Sequence, residues 1–296
     1  MEAGINTRQN VRVGEAKKHD VLWFVRQAVL YVALVIGAII SLFPFYFMFN
    51  SSTLLKSEVL ASPPHLLPSD KLFDNINRLL SDKALGLSEG IWNSIVIALI
   101  YMVLSVFISS LAGYGFAKYK WRGRDLVFGL FLATLMVPSQ VTYVPLFKIM
   151  AGGNPFDINW LGTIQAVILP GLASPFGIFL MRQTMSQFPD ELMDAGRIDG
   201  VGEFGIFWRI CLPVMRPALA ALAIFMFMSQ WNNFFWPLVA QVNTIPTRLG
   251  ALSGSSLTDY SGIMTVTSLS VLPILLVFLL MQREFINGAL AGSVKG

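Results

Sequence analysis

The sequence has 296 residues, 55% of them hydrophobic and 13% charged, with a formal net charge of +4 and a mean hydropathy of +0.64. A soluble domain carries roughly 25% charged residues, so lipid is the expected solvent for most of this chain. No basic block alternates with aromatics, which argues against a nucleic-acid partner, and the single cysteine, Cys211, excludes an internal disulfide.

Residues 1–22 are polar and lack a cleavage-site pattern beside a short apolar core, so they read as a cytoplasmic tail and not a signal peptide. A membrane helix needs about 20 mostly apolar residues. Six segments of the following domain, 23–296, meet that need: Trp23–Phe49, Ser94–Ala117, Leu126–Met150, Trp160–Met181, Cys211–Ala240 and Ile263–Met281. The expected fold is therefore an all-α polytopic membrane protein with six transmembrane helices. Between spans one and two lies a long segment, 50–93, readable either as a docking surface or as a covered loop. Pro170, Gly171 and Pro175 interrupt span four, which survives only where neighbouring helices cover its broken backbone.

Basic residues fix the expected orientation. Arg8, Arg12, Lys17 and Lys18 precede span one; Lys118, Lys120, Arg122 and Arg124 join spans two and three. Arg182, Arg197, Arg209 and Arg216 lie between spans four and five, and Arg283 and Lys295 follow span six. The other side has Lys148 and Arg248 singly, and in 50–93 a charge-balanced set. The positive-inside rule places both termini, the 118–125 loop and the loop 186–210 in the cytoplasm.

The span interiors carry almost no ionisable residue, which argues against a proton-coupled or sodium-coupled carrier. No catalytic dyad is visible at mid-depth, and no GxxxxGK[ST] loop exists for ATP hydrolysis. Neutral polar groups do occur. "MVPSQVTYVP" places Gln140 and Tyr143 in span three, and "MSQWNNFFWPL" places Gln230, Trp231, Asn232 and Asn233 in the outer half of span five. Amides beside aromatic rings suit a sugar; they also suit helix-to-helix glue and interfacial anchoring.

The stretch "PDELMDAGRIDGVGEF", 189–204, is acidic and broken by glycines. Pro189 suits a first helical turn, and Asp190 and Glu191 suit the positive end of the helix dipole. Leu192, Ala195 and Ile198 make a small apolar stripe, Asp194 and Arg197 are placed to pair, and Gly200 and Gly202 end the helix. A second helix follows, with Phe204, Phe207, Trp208 and Cys211 on one face up to Pro213. An interfacial membrane helix should be basic on its polar face. This one is acidic, so docking into a protein groove fits better.

"ELMDAGRIDGVGEFGIFWRICLP" resembles the EAA motif of permease subunits of binding-protein-dependent ABC importers. Asp194, Ala195 and Gly196 stand at the E-A-A positions, Gly200 at the glycine, and Leu212 and Pro213 at the end. Asp replaces Glu at 194 and keeps the charge; Gly replaces Ala at 196, which lowers helix propensity by up to ~1 kcal/mol and implies a looser helix. "AGYGFAKYKWRGRD", "PFGIFLMRQ", "WNNFFWPL" and the terminal "GALAGSVKG" are similar to segments of the carbohydrate-uptake branch, the last to the tail of the maltose-type second permease subunit.

The resemblance implies a type I ABC importer permease in the bacterial inner membrane, paired with a second homologous permease. Two ATPase subunits would use ATP and Mg, and a solute-binding protein would deliver a sugar or oligosaccharide from outside; this chain would bind no cofactor itself. Glu191, Asp194, Ala195, Gly196, Asp199 and Gly200 would form the ATPase-coupling helix, and the tail around Val294, Lys295 and Gly296 would reach the ATPase interface. The loop with Leu249, Gly250, Ser253, Gly254 and Ser255 would contact the binding protein. Two rivals remain at this point. One is a self-sufficient channel or secondary transporter for a polar neutral solute; the other is a membrane enzyme.

Overall fold

The computed structural model describes residues 21–254 and 259–293, and of residues 21–22 and 284–293 the backbone alone. Every regular element among them is helical. The chain divides into two units, one ending at Phe47 and one starting at Met48. The first unit consists of most of α1 (Val21–Ser52), a helix with no acidic residue in its first turn and Pro44 within it.

In the second unit α2 (Leu72–Ser81) leads to α3 (Leu87–Lys118), a 32-residue helix. Then come α4 (Arg124–Thr134), α5 (Ser139–Met150), α6 (Ile164–Ile168) with a tight turn Leu169–Gly171, and α7 (Pro175–Met185). The acidic α8 (Asp190–Ile198) is followed by α9 (Glu203–Gly205), a π-helical stretch Ile206–Cys211 and α10 (Leu212–Val214). The chain ends in α11 (Arg216–Trp231), α12 (Phe235–Val239), α13 (Ile245–Ser253) and α14 (Tyr260–Ser293).

α3 is the spine. It buries Ser105, Ser109, Ser110 and Gly113, small residues of the kind that let helix backbones approach where lipid offers no hydrophobic drive for association. A methyl group at Gly113 would stand 2.6 Å from Met181 Cβ of α7. Around this contact the core gathers Ile97, Tyr101, Met181, Met185, Phe207, Leu222, Met226 and Trp236.

Among the described residues three helices are long and apolar enough to cross a membrane, Trp23–Ser52, Leu87–Lys118 and Tyr260–Arg283; the number reaches six if each of three bent helix pairs is one span. The expected continuous spans three, four and five are these bent pairs. α4 and α5 meet at 98°, because Pro138 is extended (φ −60°, ψ 129°) and cannot continue a helix. The α6 segment and α7 meet at 44°, where Ser174 caps α7 by accepting from the Gly177 N–H at 3.2 Å. The fifth segment departs most from expectation. Residues 211–214 belong to the preceding element, which meets α11 at 85°, and α11 ends at Trp231. Pro213 and Pro217 flank this corner.

The segment 50–93 is largely exposed and contains α2, with a few buried residues that tie it to α14. Asn75 Nδ2 donates to the carbonyls of Ser52 and Leu54, each at 3.0 Å. Ser261 and Thr265 of α14 donate to the same two carbonyls. Arg78 pairs with Asp259 at 2.5 Å, and Asp259 also accepts from the Gly262 N–H at the start of α14. Leu66, Leu67 and Phe73 stay exposed on this base.

Candidate functional site: the 186–215 element and its attachment to α3

Pro189 stands one residue earlier than expected, before the helix and not in its first turn; its extended backbone (φ −63°, ψ 131°) hands the chain to Asp190 as the first helical residue. α8 ends in a Schellman closure. Gly200 has φ +79°, its N–H reaches the Arg197 carbonyl at 3.0 Å, and the Val201 N–H reaches the Gly196 carbonyl at 2.9 Å. Gly202 does not end α8; it precedes α9.

α8 has two faces. Met193 and Gly196 are buried, while Leu192, Ala195 and Ile198 form an exposed stripe, with Ile198 86% accessible. Glu191, Asp194 and Asp199 are exposed alongside it. The absent side chain at 196 has a packing reason. A methyl group there would stand 2.7 Å from Ile210 Cδ1 and 3.3 Å from Ile206 Cγ1 of the π-helical stretch. Gly196 therefore seats α8 closely on its neighbour, and the expectation of a looser helix gives way to one held by contact. The predicted single face of the second helix also splits: Phe207 and Cys211 are buried, whereas Phe204 and Trp208 stack on each other in the open at 6.4 Å.

The entry to α8 is fastened by Lys118, the last residue of α3. Its ammonium, on a side chain only 5% exposed, donates to the Phe188 carbonyl and to Asp190 Oδ1 at 2.7 Å and lies 5.6 Å from the Phe188 ring centre. The exit is fastened by the next residue: Tyr119 Oη donates to Glu203 Oε2 at 2.5 Å. Glu203 also accepts from Arg197, which pairs with Asp194, both at 2.8 Å. The hydrogen bond and charge of Lys118 hold the Asp190 carboxyl below its ordinary range, and Arg197 followed by Tyr119 does the same to Glu203. The start of α4 is fastened elsewhere, to α7: Arg182 bonds Asp125 at 2.9 Å and lies 3.8 Å from the centre of the Phe128 ring.

Sequence reasoning found the 189–204 stretch and the Asp194–Arg197 pair. It missed Lys118 and Tyr119 as partners, reading Lys118 only as an orienting charge. Their contacts lie 70 to 84 residues away along the chain, beyond any local pattern.

The polar groups of the third and fifth spans separate. Gln140 is exposed, Tyr143 is half-buried against Trp236 at 5.8 Å, and Asn232 is exposed. Gln230 and Asn233 bond to each other at 3.1 Å. Trp231 is 3% exposed, stacks on Phe227 and donates from Nε1 to the Ser270 carbonyl of α14, so it joins helices inside the chain. In the 249–255 loop Leu249 is half-buried, and Gly250 makes room for the Phe234 ring, which a methyl group there would meet at 2.7 Å. Ser253 and Gly254 are exposed; Ser255, like Val294, Lys295 and Gly296, lies outside the described residues.

Residues 105–287, which include the acidic stretch, match the family model described as "Binding-protein-dependent transport system inner membrane component". The chain is 39% identical over 271 residues to the lactose transport system permease protein LacG of Rhizobium radiobacter, covering 90% of this chain and 96% of that one. It is 34% identical over 285 residues to the arabinooligosaccharides transport system permease protein AraQ of Bacillus subtilis, covering 94% and 99%. The sn-glycerol-3-phosphate transport system permease protein UgpE of Yersinia enterocolitica is 32% identical, covering 87% and 94%. The fold is shared with a chain from the crystal structure of a bacterial ABC transporter involved in the import of the acidic polysaccharide alginate, at a TM-score of 0.70, 23% identity, and 90% and 98% coverage. The chain thus belongs to the permease family of binding-protein-dependent transport systems and is an integral inner-membrane component that moves solute and is not a catalyst.

Proposed function

We propose that the chain is one of two homologous permease subunits of an ATP-driven importer, crosses the membrane six times with both termini in the cytoplasm, and passes a sugar or oligosaccharide received from an extracytoplasmic binding protein. ATP and Mg are used by two separate ATPase subunits, and α8 is the helix that docks into one of them. The observation that carries this reading is the outward face of α8: Leu192, Ala195 and Ile198 exposed together, among acids, on a helix whose opposite face is packed down. A groove with an apolar floor and a basic rim would accept it, whereas anionic lipid would repel it.

A sugar is favoured over an anionic solute. Two of the relatives are named for lactose and arabinooligosaccharides, and the span interiors lack cations that would hold a phosphate or carboxylate. Gln140, Tyr143, Gln230, Asn232 and Asn233 are the candidate contacts; Ser253, Gly254 and Ser255 are candidates for the binding protein, and Val294 to Gly296 for the ATPase interface.

The test is reconstitution of the chain with its partner permease, ATPase and binding protein. Leu192→Asp with Ile198→Asp should strip the ATPase from the purified complex and abolish ATP-dependent uptake while the permease pair stays inserted. Uptake by this chain without ATP would instead favour a self-sufficient carrier.

A further inference from the structure

We infer that Lys118 and Tyr119 are positioning residues that carry movement of the 188–203 element into α3. The inference rests on the docking role proposed for α8. The element has two ends, and both are fastened where α3 ends, to its last residue Lys118 and to Tyr119, the extended residue that follows it. Lys118 holds the entry, through the Phe188 carbonyl and Asp190; Tyr119 holds the exit, through Glu203. Arg197 closes the loop between them by binding both Glu203 and Asp194 of α8 itself. A displacement of α8 therefore either drags the end of α3 or breaks these bonds.

The covalent routes out of α8 are less direct. Toward the N-terminus the chain leaves helical structure between Met185 and Asp190, and α7 is tied to the start of α4 by Arg182 and Asp125. Toward the C-terminus it runs through a π-helical stretch and an 85° corner before reaching α11. α3 is instead one unbroken helix of 32 residues, packed against α7 through Gly113, whose place a methyl group could not take, and against α11 through Ser105 and Met226.

The carboxylate ends of the contacts are open to water, with Asp190 78% and Glu203 49% exposed. Exposed pairs add little to stability. Their geometry is still directional, so losing them should affect transmission more than folding.

The test uses the assembled complex in a Cys211→Ser background, with spin labels at Leu111→Cys on α3 and Leu279→Cys on α14, both exposed positions. The probe is ATP with orthovanadate. In the parent complex, trapping should change the distance between the labels. In Lys118→Met with Tyr119→Phe, which removes both donors, the ATPase should stay bound. The trapped population showing the changed distance should fall about fivefold, the low end of measured couplings between linked sites. Glu203→Gln, which still accepts from Tyr119, should keep most of the change. A full distance change in the double variant overturns the linkage, as does loss of the ATPase from it, or no change in the parent with ATPase bound. If Leu192→Asp with Ile198→Asp keeps its ATPase, the docking reading fails and takes the linkage with it.

Discussion

Two regions of the molecule solve opposite problems. Around Ser52, Leu54, Asn75 and Thr265, hydrogen bonds are buried and converge on the same carbonyls. Around α8, the bonds of Asp190, Arg197 and Glu203 face water, and the apolar stripe of Leu192, Ala195 and Ile198 has no cover within the chain. The first arrangement resists change because several buried bonds must break together before it moves. The second can shift at small cost because water replaces what is lost. The first holds α2 and α14 together; the second has the character expected of the docking helix proposed above.

The sharpest break of this contrast is Asn75→Leu. It removes one hydrogen bond from each of the Ser52 and Leu54 carbonyls and, at about 0.5–1.5 kcal/mol per bond, should cost about 1–3 kcal/mol, read as a lower melting temperature in detergent. An unchanged melting temperature would mean that the knot is not a stability centre. Next comes Gly196→Leu, which overpacks the α8 seat against Ile206 and Ile210 and should cost about 1–3 kcal/mol locally. Adding Ile210→Ala should recover ATPase binding if the seat is what matters.

Gly200→Val forces a β-branched residue to φ +79°, a strain of about 1–2 kcal/mol. Open space surrounds the position, so the effect should appear as weakened ATPase retention with the spans still inserted. The smallest effect concerns pH. Asp190 and Glu203 have depressed folded values, so their contribution is complete above the ordinary carboxylate range of about 4 and is lost only as pH falls through the folded values. The nucleotide-driven distance change should thus be flat from about pH 5 to 8 and decline only below about 4. A transition near pH 6.5 would point to a histidine or to the partner instead.

Much of the site was legible in the sequence because it depends on local rules. Pro189 and Gly200 bracket α8, and the spacing of Leu192, Ala195 and Ile198 puts them on one face. Gly196 was misread as a weakness, because helix propensity is a property of an isolated helix and the contact with Ile206 and Ile210 is not. The contact of Trp231 was not legible for a similar reason: its hydrogen bond goes to the Ser270 carbonyl on another helix, 39 residues away.

By itself the sequence determined the all-helical class, six apolar segments of which three are uninterrupted helices, and the place and acidity of α8, since apolar length, glycine and proline act within a few residues. Only the tertiary structure decided how sharply the other spans bend, which face of the second helix is covered, and that α3 ends on the supports of α8. Those outcomes depend on packing between segments tens of residues apart, where no local periodicity carries the information.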